Sequence, residues 1–99
     1  MDLAMLLRSL ADPGPPAGVS LALQGLWWDA KGDWDKAHAS AQAQDDAAGA
    51  AVHAYLHRKE GDLGNARYWY VRASRQPAGG TLQQEWEALA RELLGEPSR

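Results

Sequence analysis

The chain contains no cysteine, and that absence removes disulfides, thiolate metal sites and cysteine nucleophiles together. It also lacks phenylalanine, so its large apolar anchors are five tryptophans and the aliphatic residues. No apolar run approaches the ~20 residues that a membrane-spanning helix needs, so no membrane association is expected. No basic region precedes Leu3, Leu6, Leu7 and Leu10, which argues against a secretory signal. The expected compartment is the cytoplasm, of a bacterial cell. Neither sign of charge dominates: the formal net charge of −3 defines no partner class. Its distribution is uneven, because Ala47 to Gly80 carries five cations against two carboxylates while both flanks are acidic. Such a pattern favours docking of neighbouring helices or subunits, and no nucleic-acid partner is expected.

What is present is helical. At 99 residues the chain is expected to form a single domain with a thin core. Leu3, Leu6, Leu7 and Leu10 form one stripe of a first helix, which Asp12-Pro13-Gly14-Pro15-Pro16 ends. Gly18 to Lys31 is a second helix with Ser20 as N-cap and Leu21, Gly25 and Trp28 on one face; Leu23, Leu26 and Trp27 broaden it. A third runs from Asp33 or Trp34 to about Gln44, with Trp34, Ala37 and Ala41 inward. Either Asp45 or Asp46 caps the fourth, which folds back on a fifth across Glu60-Gly61-Asp62. Ala50, Ala54 and His57 face Ala66, Tyr70 and Ala73 in that hairpin, which ends at Pro77. Thr81 and Gln84 form a capping box ahead of the stripe Leu82, Trp86, Leu89 and Leu93, and residues 95–99 form a frayed tail. The expectation is an all-α fold of about six helices: 1–18 as N-terminal helix and linker, 19–44 and 45–77 as two hairpins, and 80–95 as a capping helix.

The two hairpins repeat one another, since 29 residues separate Gly32-Asp33 from Gly61-Asp62 and Ala37 from Ala66. In this pattern the chain resembles the tetratricopeptide repeat family, through Ala54, Gly61, Asp62, Ala66, Tyr70, Ala73 and Pro77 in the second copy. The first copy matches at Gly25, Trp28, Gly32, Asp33 and Ala37, with Ala41 where the second has Tyr70. The resemblance implies stacked hairpins, a groove lined by the first helix of each, and a protein or peptide partner. It places Tyr55, Arg58 and Lys59 on the outer, partner-facing side, and Trp69 and Arg72 join them as partner-binding candidates of interface-enriched types. Two hairpins are fewer than the roughly three that stacking usually needs, so a homodimer is expected to cover a leftover apolar surface.

Candidate chemistry is confined to the histidines. His53 and His57, at i and i+4, share one side of a helix, Glu60 adds a carboxylate at i+7, and His38 is positioned to reach the same layer. The favoured reading is neutral, partly buried histidines bonded to Tyr or Trp groups, with no cofactor. The alternative is a metal or small-molecule site at His53, His57 and Glu60, holding a divalent ion such as Zn2+. The serines lie in no nucleophile elbow, the acidic residues read mostly as capping or surface positions, and Gly61-Asp62-Leu63-Gly64 lacks the preceding strand and the lysine of a phosphate loop. No catalytic residue is expected, and the chain reads as an interaction module or accessory factor.

Overall fold

The computed structural model describes residues 1–96, and these form six helices and no strand: α1 (Leu3–Ser9), α2 (Leu21–Ala30), α3 (Trp34–Ala43), α4 (Ala47–Glu60), α5 (Leu63–Arg72) and α6 (Leu82–Leu94). The fold is all-α, and no helix among the described residues is long and apolar enough to cross a membrane. Every helix starts on a side-chain cap. Asp2, Ser20, Asp33, Asp46, Asp62 and Thr81 accept backbone N–H groups from Met5, Leu23, Lys36, Gly49, Asn65 and Gln84. Each such cap satisfies a donor the helix cannot, for about 1 kcal/mol. Gly61 ends α4 with φ 87° and Gly32 follows α2 with φ 84°, a conformation that costs a side-chain-bearing residue steric strain. Those two turns, each followed by a capping Asp, make α2–α3 and α4–α5 antiparallel hairpins.

The hairpins meet on α4, which packs against α2, α3, α5 and α6. Small residues set the spacing. Ala37, Ala41, Ala50, Ala54 and Ala66 are buried where helices approach. A Cβ on Gly49 would fall 1.9 Å from the Gln44 carbonyl oxygen and 2.9 Å from that of Ala41, so only glycine lets α4 start against the end of α3. Large side chains then fill the remaining space: Trp27 is fully buried and donates from Nε1 to Ser9 Oγ at 3.0 Å. In α2 the inward face is Ala22, Leu23, Leu26 and Trp27, rotated from the expected face, while Leu21 is exposed and Trp28 half-buried. Three neighbours crowd α2, and the bulk of its buried surface goes where they converge. Only Leu3 and Leu6 of the α1 stripe are buried; Leu7 faces outward.

The position of α6 departs most from expectation. It lies across α2 and α4, with Trp86, Leu89 and Ala90 buried and Trp86 Nε1 donating to the Leu26 carbonyl at 2.9 Å. It therefore covers the side of α4 that carries Tyr55 and Arg58, and leaves Leu63, Tyr68 and Val71 exposed on α5. Gly95 and Glu96 are not frayed: Gly95 ends α6 in the left-handed region, and Glu96 accepts from the Leu3 N–H and pairs with Arg91. Residues 97–99 of the expected tail lie outside the described residues.

Candidate metal centre

Three helices bring the histidines together. His53 and His57 are one turn apart on the face of α4 turned toward α3 and α5, and the close approach at Gly49 sets α3 against that face. His38 then meets them, with its Nε2 2.8 Å from His53 Nε2. One nitrogen from each of His38, His53 and His57 lies within 4.8 Å of the other two. His53 and His57 are buried and His38 is half-buried. Two tryptophans wall the cluster: Trp34 stacks on His38 at 4.7 Å and meets His57 edge-on at 6.2 Å, and Trp69 of α5 stacks on His53 at 3.9 Å.

Hydrogen bonding fixes where the protons sit. His57 Nδ1 lies 2.5 Å from Glu60 Oε1. An ionised carboxylate only accepts, so Nδ1 carries the proton and the other ring nitrogen of a neutral His57 keeps its lone pair. Between His38 and His53 one Nε2 donates and the other accepts. The three rings thus hold one another and a carboxylate, rather than the Tyr or Trp partners expected of them. Burial lowers the His53 pKa to about 4, and the neighbouring His38 and His57 push it the same way. Burial and His57 likewise lower that of His38, against weaker opposing pulls from Glu60 and Asp35. Lone pairs are therefore available near neutral pH at two of the three rings. Glu60 stands behind His57 as an orienting group; the carboxylate of Asp62 joins His57 and Glu60 in a second, more exposed set.

The expected partner-binding residues are divided by the structure. Tyr55 is 3% exposed, not outward-facing: its hydroxyl donates to Asp29 Oδ2 at 2.7 Å, and burial and that carboxylate raise its pKa. Arg58 donates to Glu85 Oε1 at 2.9 Å and to the Gly80 carbonyl, and Lys59 pairs with Asp29 at 2.8 Å. The arrival of α6 over α4 turns an outer face into an inner one, so Tyr55 and Arg58 are internal ties and Lys59 half of an ion pair. Trp69 and Arg72 do border open space. They line a cavity of about 170 Å3 with His53, Gln44, Asp45 and Asp46, and Arg72 lies over the Trp69 ring at 5.3 Å.

Sequence reasoning missed two buried residues that tie α4 to its neighbours. Asp29 and Glu85 are buried carboxylates, not capping or surface residues, because Tyr55 with Lys59 and Tyr70 with Arg58 satisfy them. Trp34 was legible only as a core residue. Its Nε1 is buried with no hydrogen-bond acceptor among the described residues, although it belongs to the wall of the histidine cluster. No family model matches the chain, and neither a curated protein nor a solved structure matches it.

Proposed function

We propose that the chain is a small helical-hairpin protein that binds a divalent transition metal ion, Zn2+ by donor type, at His38, His53 and His57. The observation that carries this reading is the convergence of three imidazole nitrogens within 4.8 Å, two of them on buried residues. In a tetrahedral site with Zn–N bonds of 2.0–2.1 Å, ligand nitrogens stand about 3.3 Å apart. The His38–His53 separation of 2.8 Å has to open by roughly half an ångström, no other spacing, all being within 4.8 Å, has to close by more than about 1.5 Å, and the Nε2 that donates in the His38–His53 hydrogen bond has to give up its proton, as by a shift to Nδ1. Three histidines leave the fourth position free. Glu60 on His57 Nδ1 is the arrangement that fixes a metal-bound imidazole's orientation.

Elemental analysis of protein purified without an affinity tag, followed by Zn2+ titration of chelator-treated protein, tests the reading. One Zn2+ per chain is expected, with uptake lost in His53→Ala and in His57→Ala. Wild-type protein that takes up no stoichiometric Zn2+ or Co2+ at micromolar concentrations overturns it.

A second reading, a tetratricopeptide-like interaction module in the bacterial cytoplasm, is favoured by the open face of α5. Val71 is 71%, Leu63 60% and Tyr68 52% exposed there, beside the cations Arg67 and Arg72. Pairing of two such faces is the homodimer this reading expects, and sedimentation of wild-type and Val71→Glu protein over a wide concentration range tests it. A wild-type mass that stays monomeric at high micromolar concentration removes the dimer.

A further inference from the structure

A second cavity lies between α6 and the segment that joins it to α5. It measures roughly 300 Å3, at the lower end of the about 300–1,000 Å3 typical of small-molecule sites, and it shares no residue with the histidine cluster. Tyr70, Ala78, Ala88 and Leu89 give it largely apolar walls. The buried carboxylate among its lining residues, Glu85, is already satisfied by Arg58 and the Tyr70 hydroxyl and needs nothing from a ligand. The connecting segment is loosely tied. Residues 76–80 make no backbone–backbone hydrogen bond among the described residues; Arg58 holds the Gly80 carbonyl, and Arg75 at the other end holds Glu92.

Arg75 and Glu92 are the charges this cavity can offer a ligand. Both line it, and one Arg75 nitrogen donates to both Glu92 oxygens at 3.0 Å. Their side chains are 36% and 54% exposed, so solvent screens the pair and opening it costs little. A ligand bearing only an anion would take Arg75 and strand Glu92 beside it; one bearing only a cation would strand Arg75. A zwitterion inserted between the two satisfies both and leaves the net charge of the site unchanged. We infer that this cavity is a site for a free α-amino acid with an aliphatic side chain, its carboxylate on Arg75, its ammonium on Glu92 and its side chain against the apolar wall. The assignment does not depend on the metal reading above. Arg75 suits the carboxylate because a guanidinium presents parallel N–H groups to two oxygens. The apolar wall suits a branched aliphatic side chain, since each buried methylene contributes about 0.8 kcal/mol. A peptide is excluded by size and by chemistry, because its internal residues carry neither free group.

The test is isothermal titration calorimetry of the wild-type chain with leucine as the probe. Saturable binding of one leucine per chain is expected. Leucinamide, which lacks the carboxylate, and N-acetylleucine, which lacks the ammonium, should each bind about tenfold more weakly, the loss that follows from removing one charge-assisted contact. Glycine, with no side chain to bury, should give no saturable signal over the same concentrations. Arg75→Gln, shown to be folded by its circular dichroism, should weaken leucine about tenfold and leave leucinamide unchanged, a pattern that a purely structural role for Arg75 would not produce. Arg67→Gln, an exposed cation outside the cavity, should titrate as wild type. Absence of saturable leucine binding at millimolar concentrations, or leucinamide and N-acetylleucine titrations that superimpose on that of leucine, overturns the site. Neither result bears on the metal reading, whose ligands lie outside this cavity.

Discussion

The two faces of α4 solve the same problem in opposite ways. Toward α2 and α6 it buries Tyr55 and the stem of Arg58, and each buried carboxylate it meets there has one hydroxyl and one cation as partners: Asp29 with Tyr55 and Lys59, Glu85 with Tyr70 and Arg58. Opposite charges close those networks, leaving no coordination position unused. Toward α3 and α5 it buries His53 and His57 against His38, three like groups with a proton shared between two of them and a carboxylate behind the third. Burial lowers the basicity of His53 and His38, whose hydrogen-bond partner is in each case the other imidazole rather than a carboxylate. A closed network of unlike charges holds a fold together, whereas a cluster of like donors, kept neutral by desolvation, is what a cation binds.

The largest effect is expected from removing what brings the imidazoles together. Gly49→Ala places a methyl 1.9 Å from a backbone oxygen that cannot rotate away, so α3 and α4 must separate. We expect a loss of about 3 kcal/mol or more in denaturant unfolding, with weaker metal uptake, while the Asp29 and Glu85 networks on the other face persist. Acid should act on the same face. The His53 pKa is lowered in the folded state, so the unfolded chain binds more protons below the ordinary histidine value of 6.5. Stability is therefore complete above pH 6.5 and falls as pH drops toward about 4, on the order of 2–3 kcal/mol in all, and His53→Leu should flatten that slope. A stability curve of His53→Leu that keeps the wild-type slope would assign the acid sensitivity elsewhere.

The opposite face should respond to loss of a carboxylate. Glu85→Gln leaves Arg58 and Tyr70 facing an amide in a buried site, and about 2 kcal/mol should be lost with metal uptake unchanged. Within the α4–α5 hairpin, Ala66→Leu inserts bulk where Ala54 and Ala66 are both buried and should cost about 1–3 kcal/mol, read from the denaturation midpoint. The smallest effect separates the faces most sharply. Near neutral pH, metal-free His53→Leu should differ from wild type by less than about 1 kcal/mol, because the loss of one neutral hydrogen bond to His38 is offset by the burial of an apolar side chain. The same variant should bind no Zn2+. A large destabilisation would make His53 a structural residue like Glu85.

How much of this the sequence disclosed depends on the range of the interactions involved. The caps and the Gly-Asp turns are contacts between residues two to four apart, so the Ser20 cap and the Thr81–Gln84 box could be read from their own residues, whereas the start of α3 was left between Asp33 and Trp34 and that of α4 between Asp45 and Asp46. The inward placement of Ala54, Ala66 and Tyr70 followed from periodicity alone. The stripe on α6 announced that the helix needed a surface but not which one, and its choice of α2 and α4 reversed the environment of Tyr55. The histidine pair on α4 was visible at i and i+4; the third member, fifteen residues earlier than His53, became a member only through the approach that Gly49 permits. Asp29 and Glu85 looked like surface carboxylates because their partners lie 26 to 30 and 15 to 27 residues away.

That both faces belong to one rigid helix has a consequence for how the protein breathes. The α4 amides cannot lose their hydrogen bonds one face at a time, since the helix that carries His53 and His57 also carries Tyr55 and Arg58. Their exchange with deuterated water is expected to require opening of the helix as a whole, and an ion held at the imidazoles would slow it by stabilising the closed state. Protection confined to α4 and its neighbours, graded with metal concentration, is thus a readout of occupancy that needs no chromophore at the site.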